Sequence, residues 1–377
     1  MTPPLPPGIP GTIAAALQPV NRDLDTLETP AVLIDLEVAE ANLQRWQERC
    51  DKAGLVNRPH IKTHRSIAWA RRQIELGAEG VTVQTVGEAE VMMEAGIKDL
   101  FLTTNVLGSA KLERLASVAR QSRLAVVADS REVVAGIALA AREAGVPLRV
   151  LVECDTGAGR CGLASPEEIA ALADHIARSE GLLFGGLMTY PAPGQRRESA
   201  KRLEAARSAC EARGLEVAVI SSGGTPDMWS DEGLAPLTEY RAGTYIYNDR
   251  SLQEAGVAGL ADCALTVLAT VVSRPTAERA ILDAGSKALT SDLLGLEGYG
   301  LVLEHPEARL YQLSEEHGHL DVAACAAPPK VGDRVRIPTP AKSTPTAVVS
   351  NLFDRVFLTA RGALLGALPV DARGRSN

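Results

Sequence analysis

What the chain has little of narrows its reading first. Aromatic residues make up only 3% of its 377 residues, so a tyrosine at the end of a strand stands out. Charge of one sign is nowhere concentrated. There are 39 Lys and Arg against 47 Asp and Glu, a net charge of −8, and no basic run. That leaves no electrostatic footprint for nucleic acid or an anionic membrane. The six cysteines, at 50, 154, 161, 210, 263 and 325, show no C-x-x-C spacing. Neither a zinc knuckle nor a disulfide framework follows from them. No uncharged run reaches the length of a membrane span. Residues 256–273 come nearest, but they hold Asp262 and end β-branched, so they read as a buried strand. The N-terminus is proline-rich and lacks the charged-then-apolar pattern of a secretory signal. The expected location is the cytoplasm.

What is present is alternation. Hydrophobic residues are 46% and charged residues 23% of the chain, as in a globular enzyme. Residues 1–28 carry prolines without a clear period and are expected to form an arm. From residue 29, apolar β-rich runs alternate with amphipathic runs. Strands are expected at 31–36, 58–64, 80–86, 99–105, 123–129, 148–155, 182–190, 217–223 and 244–247. Helices between them have good starts at Ser109, Ser130 and Ser165-Pro166. Several end at glycines: Gly96, Gly145, Gly181 and Gly214. The spacing, roughly 20 to 35 residues, is that of a βα unit. Eight or nine such units predict a parallel sheet closed into a (β/α)8 TIM-like barrel over 29–255. Beyond it, short β-like runs at 264–273, 279–283, 300–302, 309–314, 331–338 and 348–358 predict a second, mainly antiparallel β domain over 256–377.

One stretch concentrates chemistry: Arg58-Pro-His-Ile-Lys-Thr-His64. Read as a strand, it places His60, Lys62 and His64 on one face. A lysine buried at the C-terminal end of a strand loses solvation, its pKa falls, and its neutral amine can form a Schiff base. The plain alternative is a surface lysine on an edge strand. A barrel keeps its chemistry at the C-terminal ends of its strands. The other strand ends carry Gln84, the Glu153-to-Gly162 turn with Arg160, Tyr190, Ser221-Ser222-Gly223-Gly224-Thr225, and Tyr240 through Tyr245. The Ser-Ser-Gly-Gly-Thr turn has the N–H groups and hydroxyls to cradle a phosphate, although glycine turns end strands in any barrel. Arg160 alone reads equally as a salt-bridge partner, and Tyr190 and Tyr245 as ordinary interface aromatics. A strand lysine together with a phosphate cradle points to pyridoxal 5′-phosphate (PLP): the lysine takes the aldehyde, the cradle the phosphate.

These motifs run in one order with Asp283-Ala-Gly-Ser-Lys287, Ser314-Glu-Glu-His-Gly318 and Pro369-Val-Asp-Ala-Arg-Gly374. From about Thr29 to the C-terminus the chain resembles the D-threonine aldolase / D-serine dehydratase family, which has the alanine-racemase-like fold of PLP enzymes. The resemblance implies a PLP barrel plus β domain, a small amino-acid substrate and usually a homodimer. It makes Lys62 the Schiff-base lysine, and Lys62 and His64 are the catalytic candidates. It places Arg160 on the cofactor's phenolic oxygen, Tyr190 near the ring nitrogen and Gln84 against the cofactor. Ser222, Gly223, Gly224, Thr225 and Tyr245 fall at the phosphate.

One departure matters. The family usually carries a metal motif of the Pro-Asn-His-x-Cys or Gly-His-x-Asp kind just before an Asn-Leu-Phe-Asp-like segment. Here Asn351-Leu-Phe-Asp354 is present, but Ile337 to Ser350 offers Pro340 and Lys342, or Pro345 and Ala347, where ligands belong. Proline does not ligate and lysine presents a cation. No metal ligand is therefore assigned, and a divalent metal is doubted; His317 and His319 are a fallback pair, with an ordinary loop pair as the plainer reading. The expected activity is a PLP-dependent carbon–carbon lyase of D-threonine aldolase type. It would cleave D-β-hydroxy amino acids to glycine and an aldehyde without the usual metal. Retro-aldol cleavage needs a base near the hydroxyl, whereas dehydration depends more on a Lewis acid because hydroxide leaves poorly. The alternatives are a D-serine dehydratase-like deaminase, an amino-acid racemase or transaldolase, and a non-catalytic PLP-binding protein.

Overall fold

The structure, a computed structural model, describes residues 8–291, 296–338 and 345–377, the last stretch without the side chains of residues 345–347. It divides into two compact units. One comprises Trp46–Lys62, Gln73–Gly243 and Gly374–Asn377; the other comprises the residues up to Arg45, Thr63–Arg72 and Thr244–Arg373.

The chain's first strand, β1 (Ala31–Asp35), falls within the stretch expected to be barrel, but it belongs to the other sheet. It pairs antiparallel with Leu265–Leu268 and parallel with Phe357–Thr359. The apolar run Ala31–Ile34 is buried throughout. Such a run suits the centre of either kind of sheet, and periodicity alone does not say which.

The barrel strands are β2 (Val56–Asn57), β3 (Val81–Val83), β4 (Asp99–Leu102), β5 (Arg123–Ala128), β6 (Leu148–Glu153), β7 (Leu182–Met188), β8 (Val219–Ser222) and β9 (Glu239–Tyr240). Every neighbouring pair is parallel, in the order β2-β9-β8-β7-β6-β5-β4-β3. The two ends of that order meet through a parallel bridge between His60 and Thr82, whose N–H donates to Pro59 O at 2.8 Å. The sheet is thus a closed (β/α)8 barrel. Phe101, Val127, Leu151 and Met188 pack inside it, with Ala125 and Val219 against them.

Local chemistry sets the helices between the strands. Ser130 and Ser165 cap Arg131–Ala144 and Pro166–Arg178 by accepting from the third backbone N–H, and Pro166 opens its helix where no donor is lost. Ser109 does not cap. Gly108, at φ 91°, precedes it, and Ser109 is the first helical residue.

The second unit holds β10 (Leu265–Thr276), β11 (Arg279–Leu282), β12 (Arg309–Leu313), β13 (Gly318–Asp321), β14 (Arg334–Pro338), β15 (Arg355–Ala360) and β16 (Ala363–Pro369) around β1. Except for β1 with β15, its pairings are antiparallel. The expected strand at 300–302 does not form. The run at 348–358 splits into a helix, Pro345–Leu352, and the start of β15. Proline at the first helical position costs no hydrogen bond, and the β-branched Val348-Val349 pair that read as strand lies inside that helix.

Candidate active site

The strand end that carries Lys62 departs from the strand reading. β2 stops at Asn57, and Ile61–Thr63 form a 3-10 turn. Side chains in such a turn repeat every third residue, so His60, Lys62 and His64 do not share a face. Pro59 has no N–H to continue a ladder. The turn is organised by His60. Its Nε2 lies 3.1 Å from Gln84 Oε1, and its Nδ1 lies 3.4 Å from the Lys62 N–H. An amide oxygen only accepts, so Nε2 carries the proton and Nδ1 accepts from Lys62. Gln84 is fixed in turn, its Nε2 donating to Thr103 O at 3.3 Å and its N–H to Glu88 Oε2 at 2.7 Å. Gln84 therefore sets the backbone that presents Lys62.

Burial disfavours the Lys62 ammonium, and the guanidinium charges of Arg160 and Arg241 disfavour it further, against a smaller pull from Glu88. Its pKa falls to about 8. Lys287, the lysine of another motif, behaves oppositely. It is exposed, pairs with Glu316 at 2.7 Å, and has a raised pKa from that bond.

The Ser222–Thr225 turn follows β8 in the same unit as Lys62. Gly223 sits at φ +100°, where a side chain is strained, and its Cβ would lie 2.4 Å from the Tyr240 ring. A Cβ on Gly224 would lie 3.1 Å from Tyr190 Cε2. The Tyr240 hydroxyl donates to Gly224 O at 2.9 Å, and Thr225 Oγ1 accepts from Gly243 N–H at 3.4 Å. Thr225 opens a 3-10 turn, so the N–H groups of Gly224 and Thr225 have no acceptor within it. Gly223 and Gly224 thus form an edge without side chains, propped by Tyr240, and the N–H groups of Gly224 and Thr225 meet no acceptor among the described residues.

Arg160 and Tyr190 are neighbours: the guanidinium carbon stands 5.1 Å over the tyrosine ring centroid. Arg160 also faces Glu153 at 3.9 Å. Burial raises the Glu153 pKa, with Asp129 adding to the rise and Arg160 and Arg241 opposing it. Burial likewise raises Tyr190.

Glu239 carries no role in the sequence reading, Arg241 enters it only within the Tyr240–Tyr245 run, and Ser221 only as part of the glycine turn. Arg241 is buried, and its pKa drops to about 10, chiefly from burial. Its Nη2 donates to Thr189 O at 2.5 Å and its Nε to Ser221 Oγ at 2.8 Å. Ser221 donates to Glu239 Oε1 at 2.5 Å, Arg58 Nε donates to Glu239 Oε2 at 2.5 Å, and Arg58 Nη1 donates to Asp99 Oδ1 at 2.5 Å. This chain of charges crosses the barrel interior toward the Lys62 end. Its sequence signal is Glu239 and Arg241 two apart on one strand face, charged where a barrel is normally apolar.

Two proposed site residues lie in the other unit. His64 is buried, and its Nδ1 accepts from Ser66 N–H at 3.0 Å. Tyr245 is buried in the 3-10 turn Thr244–Ile246. His319 Nε2 lies 3.1 Å from Ser314 Oγ and its ring meets Tyr311, while His317 is exposed. Pro340 and Lys342, and the side chains of Pro345 and Ala347, lie outside the described residues. Among the described residues, Asp129, Glu153 and Cys161 bring donor atoms within 4.8 Å of one another, with Arg160 beside them as a counter-charge. Among the described residues, no helix is long and apolar enough to cross a membrane.

Comparison with known proteins bears on the fold and the family. Residues 34–251 match the family model of the alanine racemase N-terminal domain, and residues 264–347 a putative serine dehydratase domain. A D-threonine aldolase of Arthrobacter sp. is 32% identical over 377 residues, covering 96% of this chain and 97% of that one. A D-threo-3-hydroxyaspartate dehydratase of Delftia sp. strain HT23 is 32% identical over 337 residues, covering 83% of this chain and 89% of that one. The crystal structure of D-threonine aldolase from Filomicrobium marinum superposes with a TM-score of 0.87 at 30% identity, covering 96% of this chain and 100% of that one. On barrel, motifs and relatives together, the chain belongs to the D-threonine aldolase / D-serine dehydratase family, with the alanine-racemase-like fold of PLP enzymes.

Proposed function

We propose that the protein is a PLP-dependent carbon–carbon lyase of D-threonine aldolase type, cleaving D-β-hydroxy amino acids to glycine and an aldehyde. The observation that carries this reading is the Lys62 amine, whose pKa is lowered to about 8 in the barrel unit that also holds the Gly223–Gly224 turn. The fall from 10.5 to about 8 raises the neutral amine fraction at pH 7 roughly 300-fold.

The residues fit the cofactor. A lysine of lowered pKa suits its aldehyde, and two glycines between hydroxyl residues, with backbone N–H groups that meet no acceptor among the described residues, suit its phosphate. When bound, PLP condenses with amines and draws electrons from the carbon that bears the substrate's amino group. The chain's own residues do the rest. Lys62 supplies the amine, kept reactive by burial and by Arg160 and Arg241. Ser222, Gly223, Gly224 and Thr225 hold the phosphate by backbone and hydroxyl, and Tyr245 is assigned to the same group. Arg160 would offer N–H donors to the phenolic oxygen, Tyr190, stacked under Arg160, would face the ring nitrogen, and Gln84 keeps the Lys62 turn in place. His64 is the second proposed catalytic residue; with Nδ1 engaged by Ser66, any proton it exchanges passes through Nε2. We further propose a homodimer, in keeping with the family, and a cytoplasmic location. No metal is assigned to residues 337–350.

A panel of D- and L-β-hydroxy amino acids, with PLP and with and without Mn²⁺, tests this by separating aldehyde, keto acid and inverted amino acid. Aldehyde and glycine from the D-isomers alone is the expected result. Keto acid as the main product would replace lysis by dehydration, and inverted amino acid would replace it by racemisation.

A further inference from the structure

The barrel strands begin around a cavity of about 570 Å³, at the end of the barrel opposite Lys62. Barrels of this kind normally fill their interior with layers of bulky side chains. Here the floor is formed by Phe101, Leu151, Ala125 and Val219, members of the interior cluster. Around the rim stand Arg58, Arg120, Arg123 and Arg149, and the carboxylates of Glu79, Asp99 and Glu239.

These charges are not equivalent. Arg58 spans Glu239 and Asp99, Arg123 meets Asp99 at 2.8 Å, and Arg120 meets Glu143 at 3.2 Å. Arg149 makes no ion pair or hydrogen bond through its side chain among the described residues. Its stem runs over Gly185 on the neighbouring strand: a Cβ there would lie 2.4 Å from Arg149 Cγ. Glycine at that position makes the room that lets the guanidinium reach the cavity. Leu183, 53% exposed, adds apolar surface at the rim.

We propose that this cavity is a second binding site, separate from the Lys62 site, for a small amphipathic carboxylate. The apolar body lies on Phe101, Leu151, Ala125 and Val219, and the carboxylate pairs with Arg149. A volume of about 570 Å³ falls within the range of small-molecule pockets, and the lining sets apolar side chains beside four arginines and three carboxylates. An unpaired guanidinium offers the fork of donors that matches a carboxylate.

The test uses the PLP-loaded full chain and 4-(trifluoromethyl)phenylacetate, followed by fluorine NMR line width. The corresponding amide is the uncharged control. The expected result is saturable broadening by the carboxylate and not by the amide, unaffected by excess D-threonine. Arg149→Glu should weaken binding by about tenfold or more, and Arg149→Gln should weaken it in the same direction. Circular dichroism checks that both variants fold. Binding unchanged in both variants, equal binding of the amide, displacement by D-threonine, or no saturable binding would each overturn the proposal.

Discussion

Ser221 Oγ accepts from Arg241 Nε at 2.8 Å and donates to Glu239 Oε1 at 2.5 Å, joining a buried cation to a buried anion through one hydroxyl. Remove that hydroxyl and both groups lose a partner inside the barrel. An unsatisfied buried polar group costs roughly 1–3 kcal/mol, more when charged. Ser221→Ala is therefore expected to lower unfolding stability by about 2 kcal/mol. Urea titration checks this; a variant as stable as the wild type would show that Arg241 and Glu239 satisfy each other without it.

The Lys62 amine gives a pH prediction. With its pKa lowered to about 8, Lys62 is mainly ammonium below that pH and mainly amine above it. In cofactor-free protein carrying ¹³C-methylated lysines, the Lys62 signal should titrate with a midpoint near 8, well below the other lysines. Arg160→Met removes one repelling cation, so the midpoint should rise. A Lys62 midpoint with those of exposed lysines would contradict the burial and charge argument.

The glycine turn gives a binding prediction. Gly224→Val places atoms where a Cβ already lies 3.1 Å from the Tyr190 ring, and closes the backbone to a phosphate. PLP affinity should fall by about tenfold or more, some 1.4 kcal/mol. Tyr240→Phe removes only the hydrogen bond to Gly224 O, so it should weaken PLP by a smaller step, about 1 kcal/mol. Equilibrium dialysis of PLP measures both. Unchanged affinity in a folded Gly224→Val protein would remove the cradle from the account.

The sequence made the barrel readable because its strands are apolar, its helices capped and its repeat that of a βα unit. Ser130, Ser165 and Pro166 are read from residue type alone and stand where expected. Two features were not readable. Ala31–Ile34 is equally apolar in either sheet, and only its pairing with β10 and β15 assigns it. The turn at Ile61–Thr63 looks like a strand because Ile and Thr favour strands; His60 bonding to the Lys62 N–H decides it. The same limit hides Arg241. An arginine two residues after a glutamate says little until Ser221 of the neighbouring strand β8 joins the two. Gln84 was singled out, but its bond to His60 joins residues 24 apart in sequence and was not foreseeable.

The residues from Ile337 to Ser350 give a metal prediction. They hold no His, Cys or Asp. Lyase activity should survive EDTA treatment, because the remaining carbonyls and water do not hold Mn²⁺ or Zn²⁺ tightly. Loss of activity on EDTA, restored by Mn²⁺, would show that a metal is bound elsewhere.

The central claim is lysis at Cα–Cβ. It is tested most directly by incubating the PLP-loaded protein with D-threonine and following the products by proton NMR. The account predicts glycine and acetaldehyde in equal amounts, and none from a Lys62→Ala variant. Formation of 2-oxobutyrate and ammonia instead, or unchanged D-threonine, would contradict it.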